Sequence, residues 1–276
     1  HGLTQMIISD SKSIWYLTGA SVEPYERLMA LYLPVQGEPV IFLNKLFFVP
    51  QAPCREVWHT DSDKPVEQIA EVVDKTKTLG IDKEWPAKFL IPLMELCPGM
   101  PVVLASDCVD ACRAVKDAEE QMLMKEASRI NDETILKARD YVKPGMTEKQ
   151  VAAELEYFCR RSGADGMAFD TIAVSGLKSA YPHGVPGDEP LSDNAFITMD
   201  FGAKVDGYCS DMTRTVVLGK ADGRMKEIYA TVLEAQRRAI EAVHAGVTGA
   251  QVDGAARSYI AVSYTHLRAH ETEADL

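Results

Sequence analysis

The sequence predicts a mixed α/β chain in two parts: an α/β domain ending at residue 115, and an α+β domain from 116 that is internally duplicated. Three observations carry this. Short β-like runs alternate with segments of helical spacing up to about Val115. A capping-box pair, Asp117 and Glu120, then opens a long helix. Finally, Val142-Lys-Pro-Gly145-Met-Thr147-Glu-Lys-Gln150-Val151 recurs as Val243-His-Ala-Gly246-Val-Thr248-Gly-Ala-Gln251-Val252, with five identities in ten positions and each pair 101 residues apart.

Taken in order, Gln5–Ser9 and Ile14–Leu17 are β-like runs. Leu28–Leu33 and Val40–Leu43 are apolar strands joined by the turn Gln36-Gly-Glu-Pro39. Val66, Ile69, Ala70 and Val73 have helical spacing, and Thr78–Ile81 and Pro101–Leu104 read as strands. Cys108 and Cys112 are spaced to share a helix face. Past Asp117 the helix stripe is Leu123, Ala127, Ile130, Ala138 and Tyr141, closed by Pro144-Gly145. Thr147 and Gln150 open a second helix, with Val151, Leu155 and Phe158 on one face. Phe169–Val174 is a strand. Met225, Ile228, Tyr229, Val232, Ala239 and Ile240 repeat the long helix in the second copy.

Composition bounds the function. The 276 residues include 29 basic and 41 acidic side chains, a net charge of −12, which argues against nucleic acid or an anionic membrane surface as the main partner. No apolar run reaches the ~18 residues of a membrane span, and His1-Gly2-Leu3-Thr4 does not open a signal peptide. The six cysteines form no C-x-x-C pair and are expected as reduced thiols, consistent with a cytoplasmic location.

Two carboxylates stand out. Phe196-Ile-Thr-Met-Asp200-Phe-Gly202 and Tyr208-Cys-Ser-Asp211-Met-Thr-Arg-Thr-Val-Val217 are β-like runs flanking Asp206-Gly207, a strong short-hairpin signal. With those two residues at the turn, Asp200 faces Thr213 and Asp211 faces Gly202. The two acids then share one face as diagonal neighbours, roughly 7–8 Å apart. Such a pair repels unless a cation lies between, which points to a hard or borderline divalent metal. His183, in the Pro/Gly-rich loop after the 169–174 strand, is the candidate substrate-binding or proton-shuttling group. Arg214 is a candidate to pair with a nearby acid. His59 and His244 have no such context.

Lys143-Pro-Gly-Met-Thr-Glu148, Phe169-Asp-Thr-Ile172, Ser175-Gly with Ser179-Ala and Pro182-His183, Asp200-Phe-Gly202 and Gly207-Tyr-Cys-Ser-Asp-Met-Thr-Arg-Thr215 together resemble the M24 metallopeptidases, in the Xaa-Pro dipeptidase (prolidase) and Xaa-Pro aminopeptidase branch. The resemblance covers residues 3–261, and Ile14-Trp-Tyr-Leu-Thr-Gly19 resembles the creatinase-type N-terminal domain. It implies a creatinase-like domain at 1–115 and, at 116–261, a pita-bread catalytic domain of two pseudo-symmetric halves. It implies hydrolysis of the bond between an N-terminal residue and proline in short peptides, with two divalent ions, manganese first and cobalt or zinc as alternatives. Asp200 and Asp211 match the two metal-binding Asp, Asp211 bridging, and His183 matches the substrate-side His. A homodimer is expected of the full-length protein. A metal-free creatinase-like hydrolase and a non-catalytic pita-bread binding protein are the competing readings.

The sequence departs from the family where the remaining ligands are expected. No Gly-His-Gly segment and no following Glu pair appears. The repeat places the equivalent of Leu218 beyond Leu276, so the second half-sheet is expected to be largely absent, and this chain inactive. His266, His270, Glu271 and Glu273 lie in 262–276, which resembles translated adapter read-through; that stretch is expected to be a non-native tail, not a ligand set.

Overall fold

The computed structural model describes residues 2–274, with side chains to residue 263. Two compact units divide the chain, His1–Lys116 and Asp117–Leu276.

The first unit comprises β1 (Gln5–Ile8), α1 (Ser11–Thr18), β2 (Ala30–Pro34), β3 (Val40–Asn44), β4 (Arg55–His59), α2 (Pro65–Val72), β5 (Leu79–Ile81), α3 (Ala87–Leu96), β6 (Val102–Leu104) and α4 (Asp107–Ala114). Six strands form one mixed sheet in the order β4-β3-β2-β1-β5-β6. Its central strands are apolar on both faces because both faces are covered. Ile7, Tyr32, Phe42 and Leu79 pack with Ile69 of α2 and Leu93 of α3. Ile8, Leu31 and Ile41 pack with Ile14 of α1 and Val109 of α4 on the other side.

One sequence expectation is corrected here. Ile14–Leu17 is not a strand but the middle of α1. Asp10 caps that helix by accepting from the Lys12 and Ser13 amides, and Gly19 closes it at φ 76°. The two end signals outweigh the β preference of Ile14-Trp-Tyr. His59 is a core histidine, its Nε2 within 3.0 Å of the Leu28 carbonyl. All six cysteines are free.

In the second unit, α5 (Ala118–Tyr141) and α6 (Glu148–Arg161) precede β7 (Gly166–Met167), β8 (Ile172–Ser175), a 3-10 turn (Gly176–Ala180), β9 (Ala195–Phe201), β10 (Ala203–Val205), β11 (Tyr208–Cys209), β12 (Met212–Leu218), α7 (Gly223–Ala242) and α8 (Gly249–Ala274). Both expected capping boxes, Asp117/Glu120 and Thr147/Gln150, are formed. The strands make two small sheets, β12-β9-β8 and β11-β10-β7. Ile130 and Ala138 of α5 and Val151, Leu155 and Cys159 of α6 pack on Ala173, Ile197, Met199 and Phe201. No helix among the described residues is long and apolar enough to cross a membrane.

Candidate functional site

The hairpin that carries the carboxylates closes at Asp206 and Gly207, both at positive φ (44° and 81°). That is the backbone of a type I′ turn, whose twist matches paired strands. It fixes the register. Thr213 pairs with Asp200 and Met212 with Phe201, while Lys204 pairs with Cys209 and Val205 with Tyr208.

The ladder is continuous in register but divided between sheets, so the run from Tyr208 to Val217, read as one strand, is two. The division falls at Gly202 and Ser210. A Cβ on Gly202 would lie 2.0 Å from the Ser210 carbonyl oxygen, so only glycine permits this approach. Ser210 turns inward there. Its hydroxyl donates to the Ala127 carbonyl, and the Ala203 amide donates to the Ser210 hydroxyl and to Asn131 Oδ1.

Along β9, Ile197, Met199 and Phe201 are buried, while Phe196, Thr198 and Asp200 alternate with them on the opposite face. Directly paired residues share a face. Asp200 therefore lies with Thr213, whose hydroxyl donates to Asp200 Oδ1 at 2.8 Å. Asp211, exposed and two residues before Thr213, has the same parity. Arg214 does not join them. It pairs with Met199, which puts it on the opposite face, and its guanidinium donates to the Thr213 carbonyl.

His183 is exposed, on the loop that follows β8. β8 pairs with β9 so that Ile172 meets Asp200 and Val174 meets Thr198. Val174 thus lies on the Asp200 face, yet it is 1% exposed. Gly184 covers it: a Cβ built there would stand 3.1 Å from Val174 Cγ1. The His183–Gly184 segment accordingly folds over the face that carries Asp200.

Two carboxylates and a hydroxyl on one face suit a hard divalent cation in kind. They do not suffice in number. Among the described residues no three His, Cys, Asp or Glu side chains form a group that could hold a metal ion. His266, His270, Glu271 and Glu273 lie outside the residues whose side chains are described.

Sequence reasoning missed Glu148. Its carboxylate is buried, 3% exposed, and accepts from the Ser175 amide (2.8 Å), the Gly187 amide (2.9 Å) and Lys178 Nζ (2.5 Å). The hydrogen bond to Glu148 holds the Lys178 ammonium above its ordinary pKa. An acid at the first position of a helix is an ordinary dipole-favoured residue, so nothing local marked it as buried.

A family model described as metallopeptidase family M24 matches residues 122–273, more than half of the chain. The chain belongs to the M24 metallopeptidase family. A second model, the creatinase/prolidase N-terminal domain, matches residues 1–115 of this M24 chain. An Xaa-Pro dipeptidase of Pyrococcus horikoshii is 31% identical over 95% of the M24 chain and 73% of that relative. The crystal structure of the prolidase from the same organism superposes with a TM-score of 0.85 at 29% identity, covering 94% of this chain and 73% of that one. The X-Pro aminopeptidase of Thermotoga maritima gives 0.79 at 29% identity, covering 94% and 75%. The fold is the mixed α/β pair of a creatinase-type domain and an M24 pita-bread domain.

Proposed function

We propose that this M24 chain is built for hydrolysis of the bond between an N-terminal residue and proline, with Asp200 and Asp211 as metal carboxylates and His183 on the substrate side. One observation supports the reading: the hairpin register sets Asp200 and, by parity, Asp211 on a single face, and the loop bearing His183 folds over that same face. The kinship to Xaa-Pro dipeptidases and an X-Pro aminopeptidase supports the substrate class. In this reading 1–115 is the creatinase-type domain, 116–261 carries the chemistry, and 262–276 contributes no ligand.

Divalent ions, manganese first and cobalt or zinc next, would supply Lewis acidity toward a scissile carbonyl and a lowered water pKa. The chain's own residues do the rest. Thr213 orients Asp200 by donating to Oδ1. Asp211 is solvent-accessible. His183, with no hydrogen-bond partner among the described residues, is free to donate to or accept from a peptide. Short Xaa-Pro peptides as partners, a cytoplasmic setting and a homodimer belong to the same reading, the first of them supported by the kinship.

The test has two readouts. Titrated Mn²⁺ is expected to broaden the amide signals of Asp200, Thr213 and their neighbours, and Asp211→Ala to remove that effect. Any Mn²⁺-dependent proline release from Ala-Pro is expected to vanish in the same variant. Broadening or turnover that Asp211→Ala leaves unchanged overturns the assignment; hydrolysis that survives EDTA favours the metal-free alternative.

A further inference from the structure

His183 makes no hydrogen bond among the described residues, so its place over the Asp200 face depends on its loop backbone. Between Gly176 and Gly184 that loop bonds mainly to itself, Tyr181 to Lys178 and Gly184 to Tyr181. Its two ends are tied elsewhere. The Ser175 amide at the start and the Gly187 amide at the finish both donate to the Glu148 carboxylate, as does Lys178 from within. The start of α6 returns the contact. Its first two amides, Glu148 and Lys149, have no partner inside the helix and donate to the Glu189 and Gly187 carbonyls. The third, Gln150, is satisfied by Thr147.

We propose that Glu148 is a positioning residue for His183: its buried carboxylate gathers both ends of the 175–187 loop and seats the imidazole-bearing segment against Val174 on the Asp200 face. The proposal rests on the reading of His183 given above. Sequence geometry supports specificity for this loop. At the matching position of the second copy, 101 residues on, stands Gly249, and Thr248 and Gln251 still cap that helix. The carboxylate is therefore not needed to start the helix. Three donors, one of them charged, converge on one buried acid, an arrangement stronger than neutral pairs.

The test is carried out on the whole chain by amide hydrogen exchange and NMR. Glu148→Gln keeps the shape but turns a donor toward a donor. It is expected to speed exchange across 176–187 by about tenfold or more and to erase the contact between Gly184 Hα and the Val174 methyls, with β9 unchanged. Lys178→Met, which leaves the carboxylate in place, is expected to give about threefold, and Lys178→Arg to restore the wild-type rate. Lys149→Met removes only the exposed Lys149–Asp188 pair and is expected to change nothing. Wild-type exchange and an intact Gly184–Val174 contact in Glu148→Gln overturn the clamp. So does equal loosening in Lys149→Met. His183→Ala tests the reading beneath: if Ala-Pro shifts the loop signals equally with and without the imidazole, that reading fails while the exchange data still decide the clamp.

Discussion

Helices α5–α6 and α7–α8 start from the same instructions and end in different surroundings. In both pairs a glycine at positive φ, Gly145 at 86° and Gly246 at 89°, closes the junction. In both, the next residue's amide reaches back three positions, Met146 to Lys143 and Val247 to His244, and a Thr/Gln box caps the following helix. Local structure is thus equal. Burial is not. α5 and α6 bury Ala127, Ile130, Ala138, Val151, Leu155 and Cys159 against a sheet, whereas Ala235 is the buried residue of α7 among the described residues, and Ile228, Tyr229, Val232, Leu233 and Ile240 are exposed. Hydrogen-bonded ends come from residues a few positions apart; a core comes only from another layer.

Four perturbations test whether local structure and burial separate in this way. The largest belongs to the sheet that the first pair covers. Gly202→Ala would force a Cβ to 2.0 Å from the Ser210 carbonyl, and a loss beyond about 4 kcal/mol is expected, read as loss of the cooperative denaturant transition. A wild-type midpoint would mean that the two small sheets do not meet there. Next come the matched valines. Val151→Ala, at a site 1% exposed, is expected to cost about 2 kcal/mol, and Val252→Ala under about 0.5 kcal/mol. Equal costs would refute the contrast in burial.

The junction glycines should instead behave alike. Neither has a neighbour within 4 Å of a built Cβ, so Gly145→Ala and Gly246→Ala are each expected to cost about 1–2 kcal/mol from backbone conformation alone. Unequal values would show that the turns are not local. The smallest effect is electrostatic. Hydrogen bonds from Arg237 and Arg238 hold the Glu234 carboxylate of α7 down to about 2. Its folded pKa lies below the unfolded one, so the stabilisation is present above the unfolded value and fades as pH falls from about 5 toward 2. Ellipticity followed over that range should decline, and Glu234→Gln should flatten the decline. The ion pairs lie at the helix surface, where solvent screening keeps the amplitude small.

Much of this was legible in the sequence because it is local. The Asp206-Gly207 turn announced itself by residue type, and its register put Asp200 opposite Thr213 as expected. The capping pairs were readable for the same reason. The α/β alternation fixed the fold class, although Asp10 and Gly19 made a helix of the β-rich Ile14–Leu17. What stayed hidden was long-range. Nothing near Gly202 in the chain tells that the Ser210 carbonyl will press on it and divide the hairpin between sheets. Glu148 read as a routine helix-start acid because its donors lie 27 to 39 positions away. His183 could be assigned to a loop, but the face under that loop depended on how β8 and β9 pair.

The positive-φ turn at Asp206-Gly207 also bears on the order of events when the chain folds. Asp200 and Asp211 meet by closing a two-residue loop, a step of about 1–10 μs that needs no distant partner. The helices that cover the sheet must close far longer loops first. Like charges therefore approach one another in an open, water-filled hairpin, where repulsion is weakest, and the helices pack afterwards on the opposite, apolar face. The turn lets the chain bring its acids together on a face that solvent screens throughout.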